Sequence, residues 1–398
     1  MSDPTDEPRP TRKGRGSRPV VRHRCYAVCG RGLEPFVAAE ARALGAKVGR
    51  LGVGGVELEL TTRQLYVANL HLATATRVIV RVATFVARSF SELEARLGEI
   101  CWGEHLDPGR PVTASVRSSA SQLFHTDAVA ERVERVAARA AADAGRHVAP
   151  AIERQLVVVR ISHDRVTVSV DSSGSALHHR GWRVAGSKAP VRSTVAAALL
   201  SASGWDPTGD APLLDPFCGS GTIVIEAARR AAGVAAGWGR NFAFEQWPTF
   251  QPGTWASVRE DARRLQRSAS STTVFGSDRD HGALAAAAAN AEAAGVADRI
   301  VLRHAAVSNL GARGMVPSGP GVVVTNPPYG RRVGGEGGRD LRNLYARTGD
   351  VLRATCPGWP VALLGTEAHL VQALGLDMAD LGAVDHGGLR AHVWVGRS

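Results

Sequence analysis

Asn326, Pro327, Pro328 and Tyr329 form a tetrapeptide that follows the apolar run GVVVT, and these residues suit chemistry on an amino group. Two consecutive prolines fix the backbone and remove two N–H donors, which leaves adjacent carbonyls available as acceptors. The amide oxygen of Asn326 and the carbonyl of Pro327 could receive both hydrogens of a planar amino group, so that its lone pair faces an electrophilic methyl. Tyr329 offers a face on which a purine or pyrimidine can stack. A Pro-Pro turn with a core aromatic is the other interpretation.

A glycine turn earlier in the chain could hold the molecule that carries the methyl. The segment LLDPFCGSGT places an apolar strand before Gly219 and Gly221, and a helix is predicted to begin near Thr222. Glycines let a ligand approach the backbone, and the N–H groups at a helix N-terminus favour a carboxylate or phosphate. Asp215, at the strand end, is an acceptor suited to an ammonium group. The turn could also be purely structural, because its spacing differs from the dinucleotide and P-loop signatures.

A second carboxylate follows the next apolar strand, VFGSD. In doubly wound folds this position accepts hydrogen bonds from ribose hydroxyls, so Asp278 is the candidate, with Asp280 as its substitute. A cofactor with a ribose, a carboxylate and an ammonium is S-adenosylmethionine. The candidate cofactor residues are Asp215, Pro216, Cys218, Gly219, Gly221, Thr222 and Asp278, and the candidate catalytic residues are Asn326, Pro327, Pro328 and Tyr329.

Cysteine and histidine patterns add no second chemistry. A nucleophilic Cys218 would serve methylation at a pyrimidine carbon, but the Pro-Pro segment carries no cysteine, so we interpret Cys218 as a packing residue. Cys25 and Cys29 have no second pair at metal-ligand spacing, so no metal site is predicted. The polar segment LHHRGWR, residues 177–183, is interpreted as either an RNA-facing or a solvated linker.

The elements that must position these residues form two regions. After about residue 200, continuous apolar strands alternate with Ala-rich helices, which predicts a parallel, doubly wound α/β sheet with ligands at the carboxyl ends of its strands. The preceding region has the pattern of a smaller α+β fold. There, Ser91 and Glu94 have the spacing of a capping box and predict a helix start just after Phe90. The aromatic residues in 234–256 are interpreted as a local core rather than a base-stacking surface.

Length and charge limit the class of protein. The 398 residues suffice for two or three domains, and 44% are apolar, which excludes a wholly disordered chain. The formal net charge of +11 favours a polyanionic partner such as RNA or DNA. No apolar stretch approaches the roughly 18–20 residues of a membrane span, and the N-terminus lacks a signal-peptide core, so we predict a cytoplasmic protein with no membrane contact. Residues 1–22 are predicted to be a disordered basic tail.

Five segments resemble a known family: DPFCGSGTIVIEAA, FAFEQWP, GSDRD, TNPPYG and HGGLRAHVWVG. The set is similar to the THUMP-domain class of S-adenosylmethionine-dependent RNA guanine-N2 methyltransferases, most of all to the large-subunit rRNA branch, with the tRNA branch close behind. The front half is similar too, because SSASQLFHTDAVAERVERVAARAA resembles the THUMP core and CYAVCGRGLEPFVAAEARAL resembles the ferredoxin-like domain before it.

The resemblance implies a Rossmann-like class I methyltransferase domain at residues 176–398. It also implies a ferredoxin-like domain at 23–88 and a THUMP RNA-binding domain at 89–175. In such a protein the tetrapeptide lies at the target amino group, and the glycine turn and the two aspartates contact S-adenosylmethionine. The implied partner is structured RNA, with rRNA favoured over tRNA, and a monomer is assumed.

Two departures from the family pattern affect the site. Relatives usually have Asp-Ala after the third strand, contacting the adenine, whereas this chain has Ala305 and Ala306. Asn309 or backbone groups would have to substitute there. The terminal motif, which usually begins Asn-Gly, here begins with His386 and Gly387, so the role of that loop stays open.

Other interpretations also stay open. The Gly-rich basic loop after the tetrapeptide is predicted to bring Arg331 and Arg332 to substrate phosphates, although a solvated loop fits the same pattern. An adenine or cytosine amino methyltransferase of DNA would use the same tetrapeptide. A non-catalytic RNA-binding assembly factor with a degenerate cofactor pocket is the rival outside enzymes. The sequence does not identify the modified nucleotide.

Overall fold

The protein builds two seven-stranded sheets, one in each half of the chain. The structure, a computed structural model, describes residues 21–143, 154–186, 190–267, 273–312, 316–317, 319–329, 341–386 and 388–398. Residues 1–20 of the predicted tail, and the basic loop with Arg331 and Arg332, lie outside the described residues. No helix within these ranges is both long and apolar enough to cross a bilayer.

The first sheet belongs to the front half. Its elements, in chain order, are β1 (Arg22–Val28), α1 (Glu34–Ala43), β2 (Lys47–Gly52), β3 (Gly55–Thr61), α2 (Thr62–His71), β4 (Arg77–Val86), α3 (Phe90–Gly98), β5 (Val112–Ser119), α4 (Thr126–Asp143), β6 (Gln155–Ser162) and β7 (Arg165–Asp171). The strand order is β2-β3-β1-β4-β7-β6-β5, and all neighbours are antiparallel except β5 and β6. Because β4 pairs with both β1 and β7, the two α+β regions of the front half share one continuous sheet.

Local capping explains where two front-half helices begin. Thr61 caps α2 in a capping box, since its hydroxyl accepts the Gln64 N–H at 3.2 Å and the Gln64 side chain accepts the Thr61 N–H at 3.0 Å. The expected cap of α3 at Ser91 is wrong. Ser89 caps this helix and accepts the N–H of Glu92 at 3.2 Å. The same Ser-x-x-Glu spacing occurs two residues earlier, so a longer helix satisfies it equally well.

The second sheet belongs to the half of the chain that carries the candidate catalytic residues, here named the catalytic half. Its elements are α5 (Ser193–Ala202), β8 (Leu213–Asp215), α6 (Thr222–Ala231), α7 (Pro252–Arg264), β9 (Val274–Asp278), α8 (His281–Ala293), β10 (Ile300–His304), β11 (Val322–Thr325), α9 (Leu341–Thr355), β12 (Pro360–Gly365), α10 (Ala368–Ala373), β13 (Asp377–His386) and β14 (Leu389–Arg397). One-turn 3-10 helices occur at Trp102–Glu104, Ala243–Gln246, Ala297–Arg299 and Val307–Asn309.

The strand order of this sheet is β10-β9-β8-β11-β12-β14-β13, and the direction of chain progression reverses between β8 and β11. The first five strands are parallel, and β14 runs antiparallel to both of its neighbours. The chain proceeds from β8 outward to β10 and then returns to start β11 on the other side of β8. Such a reversal opens a crevice at the carboxyl ends of the strands. This mostly parallel α/β sheet confirms the fold predicted from sequence.

An aromatic cluster joins the two halves. Tyr66 on α2 stacks on Phe244 with 4.3 Å between ring centroids, and Trp255 on α7 meets Phe244 edge-on at 5.2 Å. Both Phe244 and Trp255 are buried. The N–H of Gly237 also donates to the carbonyl of Leu70 at 2.8 Å. The aromatic-rich segment is therefore core, as predicted, and it holds the catalytic half against the front half.

Candidate active site

The glycine turn between β8 and α6 has a backbone that only glycine adopts comfortably. Gly219 and Gly221 have φ of 53° and 85°, in the left-handed region. A Cβ on Gly221 would lie 3.1 Å from Ala287 Cβ and from Ile225 Cδ1, closer than ordinary packing allows. Gly221 is also the N-cap residue of α6, and no side chain caps this helix end. The first N–H groups of α6 are therefore disposed to bind an anionic group such as a carboxylate.

Asp278, the last residue of β9, lies beside this turn. Its carboxylate accepts the N–H of Gly219 at 2.9 Å through Oδ2 and the N–H of Asp280 at 2.9 Å through Oδ1. Asp280, the substitute candidate, is instead the N-cap of α8, where it accepts the N–H groups of Gly282 and Ala283. The structure thus holds Asp278 in place at the glycine turn and gives Asp280 a helix-capping role.

Asp215 at the end of β8 is almost completely buried. One of its carboxylate oxygens accepts the hydroxyl of Thr325 at 2.6 Å and the N–H of Phe217 at 3.1 Å. Burial raises the pKa of the Asp215 carboxyl to about 7, and the nearby charge of Asp278 adds to this rise while the two hydrogen bonds oppose it. The sequence predicts that Asp215 binds the ammonium group of a ligand. Among the described residues, the hydrogen bonds of Asp215 link β8 to β11.

Three other cofactor candidates have buried side chains. Pro216 is buried, and the hydroxyl of Thr222 accepts a hydrogen bond from Arg183 at 2.8 Å. Cys218 packs against β9, where a Cβ on Gly276 would lie 3.2 Å from its Sγ. Burial, with the carboxylates of Asp215 and Asp278, raises the pKa of the Cys218 thiol well above its usual range. A thiol in this state is a poor nucleophile, which agrees with the packing role inferred from sequence.

The tetrapeptide directly follows β11. Asn326 is half-buried, and its side-chain oxygen is completely buried and has no hydrogen-bond partner among the described residues. Pro327 is buried, and the carbonyl of Pro328 accepts the Tyr345 hydroxyl at 3.3 Å. Burial raises the pKa of Tyr329, which is half-buried. A buried amide oxygen without a partner costs free energy, so this acceptor is suited to an incoming donor.

The two motifs converge at one edge of the sheet. β8 and β11 are parallel neighbours, with Leu213 opposite Val322 and Leu214 opposite Val323. The carboxyl ends of parallel strands lie at the same edge of a sheet. There, the hydrogen bond from the Thr325 hydroxyl to Asp215 connects the ends of β11 and β8. Since Asn326 follows Thr325 directly, the tetrapeptide and the glycine turn are brought together as the sequence predicts.

The two departures from the family pattern also have definite places. The N–H of Ala305 donates to the backbone carbonyl of Asp278 at 3.0 Å, so it serves the backbone rather than a ligand. Asn309 is exposed, and its side-chain oxygen accepts the hydroxyl of Ser308 at 3.2 Å. His386 is buried at the end of β13, and burial lowers its pKa. Its neighbour at position 387 lies outside the described residues.

Two arginines that were not among the sequence candidates contact α6. Arg180 is buried and forms an ion pair with Glu226 at 3.2 Å, and it donates to the carbonyl of Ala73 in the front half at 2.6 Å. Arg183 donates to the hydroxyl of Thr222 at the start of α6. The LHHRGWR segment is therefore packed against the catalytic half at Arg180, for which the interpretation as a solvated or RNA-facing linker is wrong, whereas Arg183 is exposed. Glu226, a charged residue inside the apolar run IVIEAA, was the sequence signal for a buried cation.

The arrangement fits S-adenosylmethionine on its own geometry. A methionine carboxylate matches the uncapped N-terminus of α6 behind a turn that excludes side chains. Asp278, half-buried at the end of the second strand, matches a ribose. No group of three metal-ligating side chains that could hold an ion occurs among the described residues.

Comparisons with known proteins agree with this geometry. Residues 180–388 match the family model "RMKL-like, methyltransferase domain", and residues 24–79 match "RlmL ferredoxin-like domain". The chain is 31% identical over 368 residues to "Putative RNA methyltransferase slr0064" of Synechocystis, covering 92% of this chain and 94% of that protein. It is 32% identical over 382 residues to "Ribosomal RNA large subunit methyltransferase K/L" of Syntrophotalea carbinolica, covering 92% of this chain and 52% of that protein.

A solved structure extends the comparison to the cofactor. The crystal structure of "SMU.472, a putative methyltransferase complexed with SAH" superposes with a TM-score of 0.82 at 25% identity, covering 94% of this chain and 98% of that one. This chain spans about half the length of the K/L protein that it matches. Both the family model over 180–388 and the full-length relative point to one family. The chain belongs to the RMKL-like family of S-adenosylmethionine-dependent methyltransferases, with a ferredoxin-like domain ahead of the methyltransferase domain.

Proposed function

We propose that this methyltransferase acts on RNA and transfers the methyl group to the exocyclic N2 of a guanosine, with large-subunit rRNA as its substrate. The observation that carries the proposal is the buried, unpartnered side-chain oxygen of Asn326. It lies one residue from the Thr325–Asp215 bond that closes the cofactor edge of the sheet. An acceptor in this position matches the N–H groups of an amino substrate.

The chain's own residues then orient the nucleophile. S-adenosylmethionine, when bound, supplies a methyl on a positively charged sulfur. Asn326 Oδ1 accepts one N–H of the target amino group, and the Pro327 carbonyl accepts the other. These hydrogen bonds direct the nitrogen lone pair toward the methyl and strengthen as the nitrogen becomes positive, which lowers the barrier without a strong base. The N–C bond would form as the bond from the methyl to sulfur breaks, and the methylated nitrogen would then release one proton to water. Tyr329 provides a ring for stacking the target base.

The cofactor contacts are proposed residue by residue. Gly219 and Gly221 allow the cofactor to approach the backbone, and the N-terminus of α6 binds its carboxylate. Asp278 receives the ribose hydroxyls. Pro216, Cys218 and Thr222, whose side chains are buried, contribute to the shape of the turn. Asn309 or backbone groups after β10 contact the adenine.

RNA as the substrate is supported by charge, by relatives and by the front half. The net charge of +11 suits a polyanion, and the relatives reported above are described as RNA methyltransferases. We propose that residues 89–175 form a THUMP domain that grips structured RNA by shape and phosphate contacts, behind a ferredoxin-like domain at 23–88 and ahead of the methyltransferase region at 176–398. Such a substrate places the enzyme in the cytoplasm.

The test uses the purified chain, labelled cofactor and isolated rRNA, tRNA and DNA. Asn326→Ala should lower methyl transfer by at least about 100-fold, as loss of one transition-state hydrogen bond does, and leave cofactor affinity unchanged. The exposed Asn241→Ala is the matched control and should keep full activity. Nucleoside mass spectrometry should identify N2-methylguanosine in rRNA.

Four results would contradict parts of the proposal. Full activity of the Asn326 variant would exclude the assigned mechanism. Methyl on tRNA or on DNA, or on an adenine or cytosine, would exclude the assigned substrate while keeping the amino-group chemistry. Absence of cofactor binding in calorimetry would favour a non-catalytic assembly factor.

A further inference from the structure

A small cavity with polar groups on its walls lies at the carboxyl end of β12, one strand beyond the tetrapeptide. Its volume is about 190 Å³, and it is lined by Gly365, Thr366, Ala368, Asp380, His392 and Trp394. This volume is below the roughly 300–1,000 Å³ of pockets that hold drug-sized molecules, so the cavity suits a single planar ring system. None of its lining residues belongs to the candidate catalytic or cofactor set.

Two of its lining residues carry buried polar atoms without a partner. The hydroxyl of Thr366 and the indole Nε1 of Trp394 are both buried and make no hydrogen bond among the described residues. A buried donor in this state costs free energy, and native proteins usually satisfy it with a ligand or an ordered water. Gly365 lets Trp394 and Val371 pack against the strand backbone, because a Cβ there would lie 3.3 Å from Trp394 Nε1 and 2.8 Å from a methyl of Val371.

The other wall of the cavity holds a fixed acceptor. His392 Nδ1 and Asp380 Oδ2 are 2.7 Å apart, and the N–H of Gly382 donates to Asp380 Oδ1 at 2.8 Å. In the neutral tautomer that donates from Nδ1, the Nε2 atom of His392 is an acceptor. The cavity therefore combines hydrogen-bond donors on Thr366 and Trp394 with an acceptor on His392. The edge of a nucleobase carries both acceptors and donors and can pair with all three groups. The carboxylate of Asp380 disfavours a phosphate.

Strand register places this cavity next to the target site and away from the cofactor. Leu363 on β12 is opposite Thr325 on β11, so Gly365 lies level with the start of the Pro-Pro segment on the adjacent strand. Neighbouring strands are about 5 Å apart. The cofactor turn follows β8, on the opposite side of β11. The order along the edge is thus cofactor turn, tetrapeptide, cavity.

We propose that this cavity binds the base of an RNA nucleotide adjacent to the methylated one and so contributes to sequence selection. The proposal rests on the RNA substrate proposed above. Enzymes that act on an extruded base commonly take part of their selectivity from flanking nucleotides. Thr366 and Trp394 would donate to ring nitrogens or carbonyls of that base, and His392 would accept from its amino or imino group.

Nuclear magnetic resonance on the full chain tests the site directly. The protein is labelled with ¹⁵N-tryptophan, and the Trp394 indole signal, one of eight, is assigned with Trp394→Phe. The probes are the four nucleoside 5′-monophosphates and a short single-stranded RNA, with inorganic phosphate as the control. We expect nucleotides, but not phosphate, to shift the Trp394 signal. Thr366→Val should raise the apparent Kd by about 3- to 10-fold, the value of one hydrogen bond, while the control Thr254→Val leaves it unchanged.

The outcomes separate this proposal from the proposed function. A Trp394 signal that no nucleotide moves, or an unchanged Kd in Thr366→Val, would overturn the base site and leave the cavity to ordered water. Methyl transfer to RNA measured on the same sample tests the function independently. A shifted signal without transfer to RNA would support the base site and contradict the proposed reaction.

Discussion

The buried carboxyl of Asp215 makes a specific prediction about pH and stability. Only about 1% of this residue is exposed, and burial raises its pKa from the ordinary 3.8 to about 7. Asp215→Asn keeps an oxygen that can accept from Thr325 and Phe217, and it removes the titration. The variant therefore separates the effect of the titrating proton on stability from the effect of the two hydrogen bonds.

The sign and size follow from proton linkage. Between pH 3.8 and about 7 the unfolded chain releases this proton while the folded protein retains it, so stability falls as pH rises through this window. The stability that the protonated Asp215 contributes is fully present below pH 3.8 and is lost above the pKa of Asp215 in the folded protein. Each pH unit is worth about 1.4 kcal/mol, so the two units from about pH 5 to pH 7 correspond to about 3 kcal/mol.

The assay is urea unfolding of both proteins at about pH 5 and about pH 8. The free energy of unfolding of the wild type should fall by about 3 kcal/mol more than that of Asp215→Asn. Other shifted groups, such as Asp171, His105 and His178, titrate in both proteins and cancel in the difference. An identical pH dependence in the two proteins would show that Asp215 is ionised at neutral pH and would refute this account of its burial.

Two further predictions concern the contacts that hold the site. Arg183→Met removes the hydrogen bond to the start of α6 and should weaken S-adenosylmethionine binding by about 10-fold in calorimetry, with an unchanged circular dichroism spectrum. The control variant, Arg165→Met at an exposed position, should bind S-adenosylmethionine normally. Equal affinities of the two variants would show that this hydrogen bond does not support the turn. Phe244→Ala should lower the free energy of unfolding by about 3–5 kcal/mol, and the exposed Phe124→Ala should change it little. A small loss for Phe244 would mean that the aromatic cluster contributes little to joining the halves.

The convergence of the two motifs could be predicted from sequence because it depends on a general property of parallel sheets. Continuous apolar strands alternating with helices imply parallel strands, whose carboxyl ends share one edge. Asp215 and Asn326 both follow such strands, so their proximity did not require knowledge of side-chain contacts. Asp278 was placed at this edge by the same reasoning.

The contacts that fix the motifs could not be predicted in this way. The bond from Thr325 to Asp215 depends on the relative register of two strands more than 100 residues apart, which periodicity does not encode. Arg180 and Arg183 lie in a polar segment whose composition is also typical of a solvated linker. Packing against α6 buries Arg180, whereas Arg183 stays exposed, and Glu226 within an apolar run was the single local indication of the buried arginine.

The continuity of the front sheet is another long-range feature. β4 is the last strand of one run of alternating residues and β7 is the last strand of another. No local sequence pattern predicts that these two strands pair. The predicted boundary near residue 88 follows β4, which is the strand that both regions share. Sequence patterns located the elements of this half but did not show which strands would be neighbours.

The cost of burying Asp215 is connected to the proposed reaction. A carboxyl with a raised pKa is destabilised in its charged form, and a nearby positive charge reverses this effect. S-adenosylmethionine carries a sulfonium and an ammonium, and we propose that its ammonium lies beside Asp215; binding would then favour the ionised carboxylate and offset the free energy lost on burial. One oxygen of this carboxylate also holds Thr325 and the backbone of Phe217. In this proposal, the hydrogen bond from Thr325, the residue before Asn326, to Asp215 would connect cofactor binding to the position of the target acceptor.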